Sequence, residues 1–220
     1  MKSGVILKRF CLRIFALLIG LFLFSFGVVL TIKANIGYAP WEVFHVGLAR
    51  TIGVSIGTIS ISIGVLVVVI NILLGEKLGF ATFLNMILVG LIVDLLFPRI
   101  PLGQNLIAGI IMLLAGVFSI SIGTYFYLTA ALGPGPRDGL MIALARKTGR
   151  SVGLCRFAIE FVVTIAGFFL GGMVGVGTVL FVVVIGFAVQ ITFKIFRFDA
   201  TAVKHETMRD TCAALKAIRG

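Results

Sequence analysis

IFALLIGLFLFSFGVVLTI, residues 14–32, runs for nineteen residues without a charge. A helix crosses the hydrocarbon of a bilayer in about 20 apolar residues, so this stretch reads as a membrane span. Lys2, Lys8, Arg9 and Arg13 precede it, as the basic start of a secretory signal peptide would. The run is longer than the roughly 7–15 residues of a secretory apolar region, and no small-residue cleavage site follows. An uncleaved first span is the expectation.

The rest of the chain repeats the pattern. Of 220 residues, 60% are hydrophobic and 12% charged, whereas soluble domains carry about 25% charged residues. The first span extends over 13–34, and further runs follow at 58–74, 80–97, 106–132, 154–172 and 174–193. They are long and unbroken, where a membrane barrel shows alternating segments of about ten residues. The predicted fold class is an all-α polytopic membrane protein with six transmembrane helices, one membrane domain over residues 1–220. The net charge of +11 does not point to nucleic acid, because the basic residues sit between and beyond the apolar runs. The partner they imply is the lipid bilayer. With the N-terminus inside, Lys2, Lys8, Arg9, Arg13, Lys77, Arg137, Arg146, Lys147, Arg150, Arg156, Lys194, Arg197, Lys204, Arg209, Lys216 and Arg219 fall on the cytoplasmic side. Only Lys33, Arg50 and Arg99 fall outside. This positive-inside bias predicts that both termini are cytoplasmic.

The chain also matches itself at a shift of 96 residues without a gap. Gly20, Gly27, Gly37 and Pro40 fall on Gly116, Gly123, Gly133 and Pro136. Leu48-Ala49-Arg50 falls on Leu144-Ala145-Arg146, and Gly53, Ser55 and Gly57 on Gly149, Ser151 and Gly153. Glu42 meets Asp138, a conservative match. Repeat one covers about 13–97, repeat two about 106–193, and a cytoplasmic tail 194–220. Each repeat holds three spans, so the second enters the membrane from the opposite side. The expectation is an inverted 3+3 repeat, the plan of many secondary transporters, with a substrate site at the repeat interface.

Two segments stand at that interface in sequence. Gly37-Tyr-Ala-Pro-Trp-Glu-Val-Phe-His45 and Gly133-Pro-Gly-Pro-Arg-Asp-Gly-Leu-Met141 each read as a turn followed by a short helix. Proline suits the first helical position, where its missing N–H is no loss. Glu42 and Asp138 then face the positive helix end. Each helix lasts about ten residues, too few to span. Two readings stay open: re-entrant half-helices with their N-termini at a central site, or interfacial helices anchored by Tyr38 and Trp41. Arg137 could hold an anionic ligand or pair with Asp138.

Charges inside spans are expensive and often functional. Arg156 and Glu160 lie one turn apart in the fifth span, suited to an ion pair or, for Glu160, to proton coupling or cation binding. Asp94 near the end of the third span reads as snorkelling to the interface, with Gln190 as its repeat partner; Asn71 and Asn85 read as helix bridges. His45 has no second histidine nearby, and His205-Glu206 lacks the second histidine of a zinc helix, so no metal site is expected. Cys11, Cys155 and Cys212 form no CxxC pair, and no disulfide is expected. Residues 199–220 read as a solvated or interfacial tail. There is no nucleotide-binding loop, since Gly175-Val-Gly-Thr178 lacks the following lysine, and no nucleophile with its base. Neither cofactor nor enzymatic activity is expected.

The two Gly-Pro motifs, Arg156 with Glu160, and Gly171-Gly-Met-Val-Gly-Val-Gly-Thr178 together resemble the YczE/YyaS/YitT group of bacterial integral membrane proteins, on the YczE side. The resemblance covers roughly residues 12–195, and Gly-Pro-Gly-Pro-Arg-Asp-Gly-Leu is its most specific part. It implies an aspartate where Glu42 stands, a change that keeps the charge. It also implies a bacterial inner-membrane setting, and it names no substrate. The expectation is a small secondary transporter or permease for a small polar or anionic solute, or an ion. Its candidate substrate-binding residues are Trp41, Glu42, Arg137, Asp138, Arg156 and Glu160. The rival is a non-transporting scaffold or regulator of a partner membrane protein, and a homodimer is a further open partner class.

Overall fold

The computed structural model describes residues 2–199, 203, 205–208, 210, 211 and 213. Lys204, Arg209, Cys212, Lys216 and Arg219, which enter the charge and cysteine readings above, lie outside the described residues. Among residues 2–199 eight α-helices follow one another: α1 (Lys2–Lys33), α2 (Pro40–Ile52), α3 (Ile56–Leu73), α4 (Phe80–Leu96), α5 (Leu106–Thr129), α6 (Pro136–Thr148), α7 (Val152–Phe169) and α8 (Val176–Ile195). A single 3-10 turn, Phe97–Arg99, ends α4, and no strand occurs among the described residues. Among the described residues six segments are long and apolar enough to cross a membrane: Phe10–Lys33, Ile56–Leu73, Phe80–Arg99, Leu106–Thr129, Val152–Phe169 and Val176–Ile195. Their ends differ from the hydropathy runs by at most three residues. Apolar turn residues such as Leu170 and glycines such as Gly171 read as span in composition but not in backbone.

The helices start and stop where local chemistry directs. Ser55, Asn105 and Ser151 cap α3, α5 and α7 by accepting from Thr58 N, Ala108 N and Leu154 N. Such a cap satisfies one of the amides that a helix leaves unpaired at its start. Thr82 and Thr178 bond back to the amides of Gly79 and Gly175 at the starts of α4 and α8. The two short helices each open on proline and end on a left-handed glycine, Gly53 at φ 79° and Gly149 at φ 68°. Only glycine takes that conformation without strain. The 96-residue register extends to the backbone: α2 and α6 are each 13 residues long and start at Pro40 and Pro136. Asn35 and Ala131, also 96 apart, both take a left-handed φ, at 57° and 54°.

Polarity is distributed inside-out. Phe15, Leu73 and Phe169 stand 63%, 77% and 81% exposed, while Ser25, Asn71 and Ser121 are buried. That arrangement suits a lipid solvent, in which the polar groups must find partners within the protein. The core is the antiparallel crossing of α1 and α5. A Cβ on Gly27 would fall 2.5 Å from Gly116 O, and one on Gly20 2.8 Å from Gly123 O. Glycine lets the two backbones approach this closely. Fully buried Leu17, Leu21, Val29, Leu113 and Val117 fill in around them.

Contacts between the halves exchange in pairs. Gly177 N–H donates to Ile36 O (2.7 Å), and Ala81 N–H donates to Leu132 O (2.9 Å), where each residue of the second pair sits 96 positions from its counterpart. Helix α2 lies against α7, with the Cβ position of Gly167 2.4 Å from Phe44 N. Helix α6 lies against α3, where Asn71 Nδ2 donates to Pro136 O (2.8 Å). Asn71 is thus a helix bridge. Asp94 accepts from Gly57 N (2.7 Å) and Ser55 Oγ (2.5 Å), anchoring the start of α3, while Gln190 is exposed on α8. The described part of the tail departs from the expectation of a solvated or interfacial segment by bonding to the helix bundle. Glu206 N–H donates to Ala131 O (2.8 Å) and Met208 N–H to Leu78 O (3.1 Å). The Glu206 carboxylate meets Arg13 Nη1 at 2.5 Å.

Candidate functional site

The first turns of α2 and α6 face each other across a cavity of about 390 Å³. From α2, Trp41, Glu42 and His45 are all buried. Trp41 and His45 are four residues apart and so share a helix face, with ring centroids 6.2 Å apart. From α6 comes Arg137, whose guanidinium lies over the Trp41 ring at 4.7 Å from its centroid. Its Nη1 stands 3.4 Å from Glu42 Oε1, and its Nη2 stands 3.5 Å from His45 Nδ1. A guanidinium has five N–H groups and accepts nothing, so Nδ1 of His45 is the acceptor and Nε2 carries the hydrogen.

Asp138, the next residue of α6, accepts from Tyr127 Oη at 2.5 Å. On α7, Arg156 Nε donates to Glu160 Oε1 at 2.9 Å. Both of those side chains reach the same cavity, as does Asn85 from α4. Trp41, Glu42, Arg137, Asp138, Arg156 and Glu160 therefore all line one space, though they come from three helices. The remaining wall is apolar and comes from spans, including Val28 of α1, Ile120 of α5 and Ile185 of α8. Such a cavity, apolar with a few convergent polar groups, is the usual form of a small-molecule site.

A model of the family of unknown function DUF6198 matches residues 11–194. The chain belongs to that family. Among its relatives, an uncharacterized protein of Haemophilus influenzae is 35% identical over 179 residues, 81% of this chain and 82% of that one. The uncharacterized membrane protein YczE of Bacillus subtilis is 35% identical over 171 residues, 76% and 79% of the two chains. YyaS of the same organism, also uncharacterized, is 27% identical over 182 residues, 80% and 90%. No solved structure matches.

This DUF6198 chain also brings His45, Tyr127 and His205, which were not picked from sequence, to the cavity. His45 was weighed only as a metal ligand, yet its spacing from Trp41 already put it on the same face. Tyr127 precedes Asp138 by 11 residues and closes back on it across the α5–α6 turn. His205 reaches the cavity from the tail; its burial holds the imidazole pKa down, against the upward pull of the Asp138 charge. Two buried N–H groups that line this region, Trp41 Nε1 and His45 Nε2, have no hydrogen-bond partner among the described residues. No group of three metal-ligating side chains gathers among the described residues.

Proposed function

We propose that the chain is a secondary transporter, not an enzyme, that moves a small polar or anionic solute across the bacterial cytoplasmic membrane, with both termini in the cytoplasm. In this reading helices α1–α4 and α5–α8 form an inverted repeat, and α2 and α6 are re-entrant half-helices that bring their N-termini to a shared site. One observation carries the proposal: Arg137 of one half lies within 3.5 Å of Glu42 and His45 of the other, inside a cavity that both halves line. The exchanged bonds, Gly177 to Ile36 and Ala81 to Leu132, support a two-fold relation between the halves. A rocking of one half on the other about the glycine crossing of α1 and α5 would open the cavity to each side in turn.

A scaffold or regulator needs no charged cavity between its halves, because polar groups buried in a membrane protein are expensive unless they serve a purpose. The test is side-specific labelling. Trp41→Cys and Arg137→Cys, each in a chain whose three native cysteines are replaced by serine, are expected to react with impermeant thiol reagents from both faces of sealed vesicles. The double variant is expected to cross-link. Reaction of each position from one face alone, without cross-linking, would defeat the proposal.

A further inference from the structure

We infer that the ligand of this cavity is a small monocarboxylate with an apolar body, taken up together with a proton; the inference rests on the proposed central site and names what it holds. The polar end of the cavity offers donors with nothing to donate to. Trp41 Nε1–H and His45 Nε2–H are buried and unpaired among the described residues. Arg137 engages Glu42 and His45 through two of its N–H groups, at 3.4 and 3.5 Å, which leaves three without a partner among the described residues. A buried unpaired donor costs about 1–3 kcal/mol, and an incoming acceptor removes that cost. Both the indole and imidazole N–H can only donate here, and the guanidinium forks naturally onto a planar pair of oxygens. An amine has no acceptor to offer while protonated, and an amide offers a single oxygen without charge.

The apolar part of the lining selects the rest of the molecule. Val28, Met86, Ile120, Phe181, Ile185 and Val189 line it, and the cavity is about 390 Å³. That is near the lower end of the roughly 300–1,000 Å³ of ligand pockets. An apolar body of a few carbons fits such a wall, whereas inorganic phosphate would leave it uncovered.

The charges around the site require the proton. Two cations, Arg137 and Arg156, face three carboxyl groups, Glu42, Asp138 and Glu160. The neutral or titratable groups beside them are His45, Tyr127 and His205. Among the described residues Asp138 has no ion-pair partner, its bond being to Tyr127. An anion added to a set already short of positive charge is strongly disfavoured in a space of low dielectric. A proton bound with it restores the balance, and the carboxyl groups and the two histidines offer places for it.

Trp41 is the sole tryptophan of the chain, so intrinsic fluorescence of the detergent-solubilised full-length protein reads the site without a label. Butyrate is expected to change the emission saturably, with butyramide, butylamine and inorganic phosphate without effect at the same concentrations. The apparent affinity is expected to rise by as much as about tenfold per unit fall in pH, the limit for one coupled proton. Arg137→Gln is expected to weaken butyrate binding at least about tenfold, and His45→Phe severalfold, with His45→Gln restoring part of the loss because its amide can donate. A saturable response to butylamine or butyramide equal to that of butyrate, or no response to butyrate at all, would overturn the ligand class. An affinity independent of pH would overturn the proton. Because the two-sided labelling of Trp41→Cys and Arg137→Cys needs no ligand, it separates a wrong ligand from a wrong transport reading.

Discussion

Helices α2 and α6 have the same length, the same proline start, the same left-handed glycine end and an acid in the first turn, yet the residues beside that acid differ. Helix α2 presents Tyr38-Ala-Pro-Trp-Glu, aromatic and acidic, and eight of its thirteen residues are buried. Helix α6 presents Pro134-Gly-Pro-Arg-Asp, which adds a cation beside its acid and is poor in backbone donors, with five residues buried. The loop before α2 is fastened by Tyr38 N–H donating to Met173 O at 3.0 Å. Its counterpart, Pro134, has no N–H to donate. At that mouth the Pro134 carbonyl accepts from Thr82 Oγ1 at 2.7 Å, and the tail adds the amides of Glu206 and Met208, which donate to Ala131 O and Leu78 O. The lesson is that backbone and side chain have separate tasks. The repeated prolines and glycines place two helix starts opposite each other, and the unlike residues on them make the pair complementary, guanidinium to carboxylate.

The sharpest way to break the comparison is to exchange what the two helices rest on. Val43 lies against Gly167, and its counterpart Gly139 lies against Asn71, so the small residue sits on opposite partners in the two contacts. A Cβ on Gly167 would fall 2.4 Å from Phe44 N, and one on Gly139 3.0 Å from Asn71 Nδ2. The first obstacle is backbone and the second is the end of a side chain. Gly167→Ala is expected to lose about 3 kcal/mol, at the upper end of overpacking effects. Gly139→Ala is expected to lose about 1 kcal/mol or less, since the helix-propensity gain of alanine offsets part of the strain. Melting of the purified proteins in detergent measures both, and equal losses would mean that the two contacts are equivalent.

Next in size is the charge that joins the two first turns. Arg137→Gln leaves the Glu42 carboxylate, 6% exposed, without its cation. We expect a loss of about 2 kcal/mol, within the range for a buried group stripped of its partner. The double variant Arg137→Gln/Glu42→Gln is expected to recover much of that stability while leaving the proposed butyrate binding as weak as in Arg137→Gln. A double variant no more stable than Arg137→Gln alone would show that the guanidinium acts through Trp41 instead.

Tyr127 gives a smaller effect, and one confined to the α6 side. Its equivalent on α1 is Thr31, whose hydroxyl bonds to Val28 O in its own helix and leaves Glu42 to Arg137. Tyr127→Phe removes the donor to Asp138 without opening a cavity, for an expected loss of about 1 kcal/mol. The same substitution in an Asp138→Asn background should have a different effect, and a double-mutant cycle reads the coupling. A zero coupling energy would contradict the 2.5 Å bond.

Much of this was legible in the amino-acid sequence, for physical reasons. Lipid demands long apolar helices, so six spans emerge from hydropathy alone. Proline and glycine act on the backbone directly, so their 96-residue spacing reappears in the helix ends. Trp41, Glu42, Arg137 and Asp138 were legible because the Pro-acid pattern marks helix starts, and Arg156 and Glu160 because charges inside a span are expensive. What escaped depends on separation. Arg13 and Glu206 meet across 193 residues, and no local pattern encodes that pair, so a polar tail reads as solvated. Tyr127 escaped because a tyrosine inside an apolar span looks like core until its hydroxyl partner is known. His45 escaped because a metal search asks for a second histidine, whereas here the partner is an arginine from the other half.

The tail is the remaining difference between the two mouths, and pH is the gentlest way to probe it. Arg13 and Glu206 are each about 30% exposed, and pairs that wet contribute at most ~1 kcal/mol. His205 adds a pH dependence whose sign follows from its surroundings. Burial lowers its pKa, and the Asp138 charge offsets part of that shift. The docked tail therefore binds fewer protons than a released one, and docking is disfavoured by protons. Its stability is fully present above the ordinary imidazole pKa and falls as the pH drops through that value toward the lowered one. The amides of Glu206 and Met208, which donate to Ala131 O and Leu78 O, report docking by hydrogen exchange. Their protection, corrected for intrinsic rates, is expected to fall between neutral and mildly acidic pH in the native protein. In His205→Asn it is expected to stay constant over the same interval. Protection that rises with acid would mean that the imidazolium pairs with Asp138 more strongly than burial opposes it, and the tail would then close this mouth in acid instead of opening it.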